Sequence, residues 1–207
     1  MNVKICGVQD KETALAVAAS GADFIGFVFA ESSRQVEPEV VKEITPALPG
    51  TIKKVGVFVN ESPDEINRIA AYAGLDIIQL HGDETPTECE QIDYPVIKAS
   101  SIREPHDLER LSMYNVAYSL VDHPGGKYRG GSGQSFDWQI LNQRTSRHSQ
   151  IILAGGLHPG NVQEAIKTAK PFGVDVSSGV ETDGRKDVSK IQAFVMQAKT
   201  MNKEMKI

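Results

Sequence analysis

Short runs of apolar and β-branched residues recur along the whole chain at nearly even spacing. The runs are almost continuously apolar, which is typical of strands buried on both faces in a parallel sheet. Strands with one solvated face would instead alternate between apolar and polar positions. The pattern therefore predicts eight parallel strands. Their predicted ranges are Val3–Cys6, Phe24–Phe29, Lys54–Val59, Ile77–His81, Pro95–Ala99, Tyr118–Asp122, Ile151–Gly156 and Val174–Gly179.

Amphipathic segments with helix-start signals fill the intervals between these runs. Pro38, for example, stands where a first helical residue is expected. A strand and a helix about every 26 residues fit an eightfold barrel, whose size range begins near 200 residues. We therefore predict an α/β fold, a (β/α)8 TIM barrel that forms a single domain over residues 1–207, with an open doubly wound sheet as the alternative. The predicted helical segments read KETALAVAAS, PEVVKEI, SPDEINRIAAYAG, TPTECEQI, EPHDLERL, DWQILNQ, PGNVQEAI and DVSKIQAFVMQA.

Composition narrows the classes of function. With 207 residues, of which 40% are hydrophobic, the chain can bury a sizeable core. Its net charge of -5 argues against a nucleic-acid binder, because no basic stripe is available to neutralise phosphates, but it leaves room for a small anionic ligand. Lys4, Asp10 and Lys11 interrupt the first residues, and no apolar run reaches the roughly 20 residues of a membrane span. We expect a cytoplasmic protein with no membrane partner.

Cysteine and histidine are too sparse for a metal site. The two cysteines, Cys6 and Cys89, cannot form a disulfide framework or a structural zinc site, and we expect both thiols to be reduced. The five histidines are scattered along the sequence. The sequence therefore predicts no bound metal.

Polar residues stand where the predicted strands end. In an eightfold barrel the active site lies at the carboxyl ends of the strands, on the loops that lead into the helices. These positions therefore carry the candidate chemistry, although polar residues also stand at strand ends in any fold. They are Cys6, Arg34 in the loop after the second strand, His81, Lys98 and Asp122.

Glycines and serines follow the last two predicted strands. Gly155 and Gly156 stand before a helix, and Ser178 and Gly179 end the eighth run. Backbone N–H groups in such turns can converge on an anion, and loops seven and eight form the recurrent phosphate site of this fold. The alternative is a simple turn at the paired glycines. The glycine-rich stretch Gly125–Gly133 is typical of a lid that closes over a ligand.

Cys6 and Asp122 are candidates for a base and an acid, since the predicted barrel places them on opposite sides of its mouth. Cys6 otherwise serves as a small buried apolar residue, the role we assign to Cys89. Arg34 can bind a carboxylate through two parallel hydrogen bonds or be a solvated loop charge. His81 can contact a ligand or be a satisfied polar residue, and no role follows for Lys98.

Several short motifs follow one another along almost the whole chain. They are VKICG at Val3–Gly7, GFVF at Gly26–Phe29, SSR at Ser32–Arg34, VGVFVN at Val55–Asn60, QLHG at Gln79–Gly82, GGSG at Gly130–Gly133, FDW at Phe136–Trp138, AGGL at Ala154–Leu157 and DVSSGVE at Asp175–Glu181. Single motifs such as AGGL occur in many phosphate-binding barrels, but this combination in this order is specific. Together the motifs resemble those of the phosphoribosylanthranilate isomerase family.

The resemblance implies a (β/α)8 barrel that carries out an Amadori rearrangement of N-(5-phosphoribosyl)anthranilate in tryptophan synthesis. It implies Cys6 as general base, Asp122 as general acid and Arg34 as ligand of the anthranilate carboxylate. The phosphate loops fall on Gly155, Gly156, Ser178 and Gly179, and His81 is expected to contact the substrate. The partner is then a phosphorylated sugar–anthranilate molecule, no cofactor is implied, and the expected state is a monomer or homodimer.

Two other functions stay open on the sequence. A different phosphosugar lyase or epimerase would share the phosphate loops but need another acid and base. A non-catalytic protein that binds a phosphate ligand would need neither.

Overall fold

The structure is a computed structural model that describes residues 1–122, 138–143 and 150–204, with side chains described up to residue 200. The predicted lid, Gly125–Gly133, lies outside these described residues. All eight predicted strands are present. They are β1 (Asn2–Cys6), β2 (Phe24–Val28), β3 (Lys53–Phe58), β4 (Ile77–Leu80), β5 (Val96–Ser101), β6 (Tyr118–Asp122), β7 (Ile151–Leu153) and β8 (Gly173–Val176).

The eight strands form one closed barrel in which every neighbouring pair is parallel. Their order around the barrel follows their order in the sequence, and β1 pairs with β8 to close it. The predicted (β/α)8 barrel is confirmed, and the open doubly wound sheet is wrong. Closure leaves no unpaired edge strand, and the carboxyl ends of all eight strands lie at the same end of the barrel.

Seven α-helices are described. Local signals begin several of them: the Asp10 carboxylate accepts a hydrogen bond from the Thr13 N–H at 2.8 Å, and Thr85 and Glu88 form a capping box. Proline stands in the first turn at Pro38, as predicted. The helices are α1 (Lys11–Ala19), α2 (Pro38–Ile44), α3 (Pro63–Ala73), α4 (Pro86–Glu90), α5 (Asp107–Leu111), α6 (Val162–Ala169) and α7 (Val188–Glu204).

One predicted helix is a different element. The segment DWQILNQ was expected to be an α-helix, but Trp138–Gln143 is a 3-10 helix. Only Leu141 of this segment is fully buried. A single buried side chain offers little packing energy for a longer helix, and short 3-10 turns are common as connectors.

The apolar core has two layers. The larger one fills the space between the sheet and the helices, and the smaller one fills the barrel interior. Because side chains alternate along a strand, a residue two positions from an inner residue also faces the interior. Leu120 lies in the inner layer, so Asp122 points into the barrel mouth. The inner layer comprises Phe24, Val55, Ile77, Ile97, Ala99, Leu120, Ile152 and Ala154.

Strands β7 and β8 end earlier than predicted. The predicted seventh strand reached Gly156, but Gly155 and Gly156 have positive φ angles of 85° and 64°, which lie outside the extended region. The predicted eighth strand reached Gly179, but Ser178–Val180 forms a 3-10 turn. The glycines and serines therefore lie in loops above the barrel rather than within strands.

A two-stranded antiparallel hairpin follows β8. Its strands are β9 (Glu181–Thr182) and β10 (Arg185–Lys186), and Glu181 pairs with Lys186. Asp183 and Gly184 form the turn with positive φ angles of 50° and 76°, as in the Asp-Gly turns that suit two-residue hairpins. Among the described residues, no helix is long and apolar enough to cross a membrane.

Candidate active site

Cys6 and Asp122 both face the mouth of the barrel. Each is the last residue of its strand, and the two strands are separated by β8 and β7 around the barrel. Cys6 is 8% exposed and Asp122 is 6% exposed. The structure thus places both groups at the end predicted for the active site, in a largely dehydrated setting.

Gly7 turns the chain away from the barrel directly after Cys6. Its φ angle is +81°, and the N–H groups of Gly7 and Val8 both donate to the Gly26 carbonyl, at 2.9 and 3.0 Å. The Arg34 side chain lies against this turn, because a Cβ built on Gly7 would be 2.5 Å from Arg34 Cδ. Glycine at position 7 therefore allows both the turn and the close approach of Arg34 to the end of β1.

Glu181 binds Arg34 through two hydrogen bonds. The Arg34 Nε–H and Nη2–H groups donate to Glu181 Oε1 and Oε2, both at 2.7 Å. Lys186 Nζ donates to the same Oε1 at 2.6 Å. Burial by itself would raise the pKa of Glu181, but the hydrogen bonds from Arg34 and Lys186 outweigh it and the pKa is lowered. Glu181 is therefore ionised at neutral pH.

Positive charges surround the Cys6 thiol. Lys4, Arg34 and Lys186 all interact electrostatically with it. The thiol sulfur and Lys4 Nζ also share the space beside Gly26, since a Cβ built there would be 2.9 Å from the sulfur and 3.1 Å from Nζ. The Cys6 sulfur therefore lies among cationic side chains.

Lys4 and Asp175 form an ion pair inside the barrel. Lys4 is fully buried, and its Nζ lies 2.9 Å from Asp175 Oδ1. Burial alone would lower the pKa of Lys4, but the Asp175 carboxylate and then the Cys6 thiol outweigh it, so the pKa is raised. The ammonium below Cys6 therefore keeps its charge.

The two predicted phosphate loops pack against each other. A Cβ on Gly179 would overlap the Leu157 carbonyl oxygen, so the loop after β8 touches the loop after β7 through backbone. Asn161 ties the latter loop to the start of α6, because its Nδ2 donates to the Gly156 carbonyl at 2.9 Å and its Oδ1 accepts from the His158 N–H at 2.8 Å. The structure thus brings together Gly155, Gly156, Ser178 and Gly179 in two adjoining loops.

His81 follows β4 and is half-buried. Burial lowers its pKa to about 4, so the imidazole is neutral at pH 7. Its Nδ1 lies 3.2 Å from Gln79 Nε2, and an amide donor at that distance fits an imidazole protonated at Nε2. His81 also lines a cavity of about 380 Å³ between the loops after β4 and β5, together with Lys98, whereas Cys6, Arg34 and Asp122 are not part of its lining.

Lys98 has a structural role that its sequence position did not indicate. It points outward between β5 and the helices, where Nζ donates to Glu84 Oε2 and the Gly82 carbonyl, each at 2.9 Å. Glu84 in turn accepts from the N–H groups of Gly82 and Asn60. This buried ion pair holds the loop that follows His81.

Four charged residues of the site were missed as candidates. Lys4 and Asp175 interrupt otherwise apolar strands, and a charge inside a buried strand is a usable signal for an interior ion pair. Glu181 and Lys186 follow the last apolar run, in a stretch with no such signal, and only the β9–β10 hairpin brings them to Arg34. Among the described residues, no three His, Cys, Asp or Glu side chains are placed to hold a metal ion.

Comparison with known proteins identifies the family. Residues 3–197 match the family model described as N-(5'-phosphoribosyl)anthranilate (PRA) isomerase. The chain is 45% identical over 204 residues to the N-(5'-phosphoribosyl)anthranilate isomerase of Bacillus cereus (strain AH187). The aligned region covers 98% of this chain and 100% of the relative.

Solved structures agree with this match. Phosphoribosyl anthranilate isomerase from Thermotoga maritima superposes with a TM-score of 0.91 at 42% identity, covering 97% of this chain and 99% of that one. A phosphoribosyl anthranilate isomerase in complex with reduced 1-(o-carboxyphenylamino)-1-deoxyribulose 5-phosphate gives a TM-score of 0.87 at 40% identity with the same coverage. The chain therefore belongs to the phosphoribosylanthranilate isomerase family and is an isomerase of tryptophan biosynthesis.

Proposed function

We propose that the enzyme converts N-(5-phosphoribosyl)anthranilate to 1-(o-carboxyphenylamino)-1-deoxyribulose 5-phosphate by an Amadori rearrangement, with Cys6 as general base and Asp122 as general acid. The observation that carries this assignment is the position of Arg34 across Gly7, the residue directly after Cys6. A carboxylate bound by Arg34 would bring the atoms of the same substrate close to Cys6.

The reaction begins with opening of the furanose ring. The carboxylic acid of Asp122 donates its proton to the ring oxygen, the bond from that oxygen to C1' breaks, and the nitrogen lone pair forms the C1'=N iminium bond. The Asp122 carboxylate remains. The iminium nitrogen then provides the electron sink for the next step, so the chemistry requires neither metal nor organic cofactor.

The second step is removal of the C2' proton. The Cys6 thiolate takes this proton, the C–H electron pair forms a C1'=C2' bond, and the iminium pair returns to nitrogen. The C2' hydroxyl of the resulting enolamine returns its proton to the Asp122 carboxylate, and C1' takes a proton from the Cys6 thiol, which gives the ketose and restores both groups. Substrate and product contain the same atoms, as an isomerisation requires.

The remaining site residues bind the two anionic ends of the substrate. Arg34 is assigned to the anthranilate carboxylate, because a guanidinium can bind a carboxylate with two parallel hydrogen bonds. Gly155, Gly156, Ser178 and Gly179 are assigned to the phosphate through backbone N–H groups. His81, neutral at pH 7, is assigned a substrate contact rather than a proton transfer.

The proposal is tested with phosphoribosylanthranilate generated in the assay mixture and NMR detection of the ketose product. We expect Cys6→Ser and Asp122→Asn to stay folded and to lose kcat by about 10²-fold or more, the usual scale for a positioned acid or base. The matched control is Cys89→Ser, because Cys89 is buried in α4 and burial raises its pKa to about 11.

Retention of most activity by Cys6→Ser would reject the thiol as base and direct the search to His81. An inactive wild-type enzyme that binds the reduced product analogue would support the non-catalytic alternative. Turnover of other phosphosugars without this substrate would support the lyase or epimerase alternative.

The carboxylate assignment has its own test. Arg34→Lys keeps the charge but replaces the fork with a point charge, so we expect KM to rise about tenfold. Arg68→Lys is the control, since Arg68 forms a similar two-bond pair with Glu65 on the exposed face of α3. Equal KM values in both variants would contradict the assignment.

Two further properties stay predictions. We expect a cytoplasmic location, and we expect a monomer or a homodimer, which light scattering would distinguish by the mass of the protein in solution.

A further inference from the structure

The guanidinium of Arg34 is held on one edge by a carboxylate of the protein itself. Glu181 takes the edge formed by Nε and Nη2, with both distances at 2.7 Å. A guanidinium carries five N–H groups, and this pairing uses two of them. The end formed by Nη1 and the second Nη2 hydrogen points elsewhere and can receive another carboxylate with two parallel bonds.

The Arg34 side chain is more exposed than the carboxylate that binds it. The Arg34 side chain is 24% exposed, whereas Glu181 is only 8% exposed. Within the described part of the chain, Nε and Nη2 have Glu181 as their acceptor and Nη1 has none. Glu181 therefore occupies one edge of the guanidinium and leaves its other N–H groups for a ligand.

Lys186 adds a second positive charge to the ion pair of Arg34 and Glu181. Its ammonium lies 2.6 Å from Glu181 Oε1 and is nearly buried. Burial lowers the pKa of Lys186, and Glu181 opposes this effect. Two cations and one carboxylate leave the cluster with one net positive charge, which is the charge that an incoming carboxylate needs.

The cluster is also joined to the strand that carries Cys6. Lys186 Nζ donates to the Ser177 carbonyl at 3.0 Å and lies 3.2 Å from Ser177 Oγ, which itself donates to the Cys6 carbonyl at 3.1 Å. Orientation of Arg34 is thereby tied to the position of Cys6 through Glu181, Lys186 and Ser177.

We propose that Glu181 is a positioning residue: held by Lys186, it orients Arg34 so that the free end of the guanidinium receives the aromatic carboxylate, and it thereby sets the preference for carboxylate-bearing substrates. The inference rests on the proposed function, because that function assigns the anthranilate carboxylate to Arg34.

The test compares two substrates in Glu181→Gln. One is phosphoribosylanthranilate, and the other is its phosphoribosylaniline counterpart, which lacks the carboxylate. We expect the ratio of kcat/KM for the two substrates to fall about tenfold, mostly through a higher KM for the anthranilate compound, as loss of one oriented charged contact implies. The matched control is Glu65→Gln, which breaks the two-bond pair with Arg68 on α3 and should leave the ratio unchanged.

A second variant and a binding measurement test the same inference independently. Lys186→Met should lower the ratio in the same direction, and it serves if Glu181→Gln does not fold. Calorimetric binding of the reduced product analogue and of its carboxylate-free counterpart gives the same preference without turnover.

An unchanged ratio in Glu181→Gln, or a lower KM for the anthranilate compound, would overturn the inference and make Glu181 a bystander or a competitor for Arg34. Failure of the proposed function has a different signature: the wild type would not turn over phosphoribosylanthranilate. Selective binding by that inactive wild type, lost in Glu181→Gln, would still support the positioning role.

Discussion

Arg34 crosses Gly7 so closely that its Cδ lies 2.5 Å from the place where a Cβ at residue 7 would be. The side chain assigned to the substrate carboxylate is thus packed on the residue after the assigned base. Any side chain at position 7 must move Arg34. Adding a single methyl group in Gly7→Ala therefore tests whether the position of Arg34 matters for substrate binding.

Gly7→Ala should raise KM for phosphoribosylanthranilate about tenfold relative to Gly21→Ala, because the methyl group displaces the guanidinium. Gly21 is the matched control: its φ angle is +84°, close to the +81° of Gly7, but nothing lies within 4 Å of a Cβ there. Both variants should lose about 1–2 kcal/mol of unfolding free energy through the left-handed backbone. Steady-state kinetics and urea unfolding measure the two effects, and equal KM values would contradict the relationship.

Gly156→Asp should raise KM at least about tenfold without a comparable loss of kcat, because it puts a carboxylate where backbone is assigned to bind phosphate. Gly156 has a φ angle of +64°, so the variant also carries backbone strain. Gly21→Asp adds the same charge at a similar backbone conformation, in the loop between α1 and β2. A folded Gly156→Asp enzyme with the KM of that control would reject the phosphate assignment.

Lys98→Met should lower the free energy of unfolding by about 3–5 kcal/mol, since it leaves Glu84 as an uncompensated buried charge. Adding Glu84→Gln should recover part of the loss. The control is Lys54→Met, because Lys54 and Asp76 form a half-exposed pair at 3.2 Å, for which we expect about 0–1 kcal/mol. Urea unfolding measures all three variants, and similar losses for Lys98→Met and Lys54→Met would contradict the role of the buried pair.

The neutral state of His81 predicts a pH-dependent stability. Its pKa is about 4 in the folded protein against an ordinary value of 6.5, so the unfolded chain binds more protons between these values. The contribution of His81 to the free energy of unfolding is therefore fully present above pH 6.5, and it is lost as the pH falls toward 4. Because solvent screens the half-buried ring in part, we expect the loss of unfolding free energy to be on the order of 2 kcal/mol.

The measurement is the difference in unfolding free energy between the wild type and His81→Gln at each pH. We expect this difference to shrink from pH 6.5 to pH 4, while His106→Gln, which removes an exposed imidazole, serves as the control. A difference that is constant over this range would show that His81 is not held neutral by burial.

The sequence by itself determined the eight parallel strands, because each apolar run is long enough for one strand and too apolar for a solvated face. Closure into a barrel was decided by the tertiary structure, in which β1 pairs with β8. Runs such as Phe24–Phe29 can be buried on both sides only when helices cover the sheet, and parallel order then follows from the intervening helices. The positions of Cys6 and Asp122 at the carboxyl ends of strands followed from the same pattern, since strand direction alone decides which residues reach the mouth.

Only the tertiary structure decided the partners of those residues. Arg34 and Glu181 are 147 positions apart, and nothing in their local sequence indicates that they pair. Lys4 and Asp175 meet because β1 closes the barrel against β8, and Lys98 finds Glu84 because β5 packs beside the loop after β4. Charge pairs of this kind depend on distances of a few ångströms across the closed barrel, which hydrophobic periodicity along the chain does not encode.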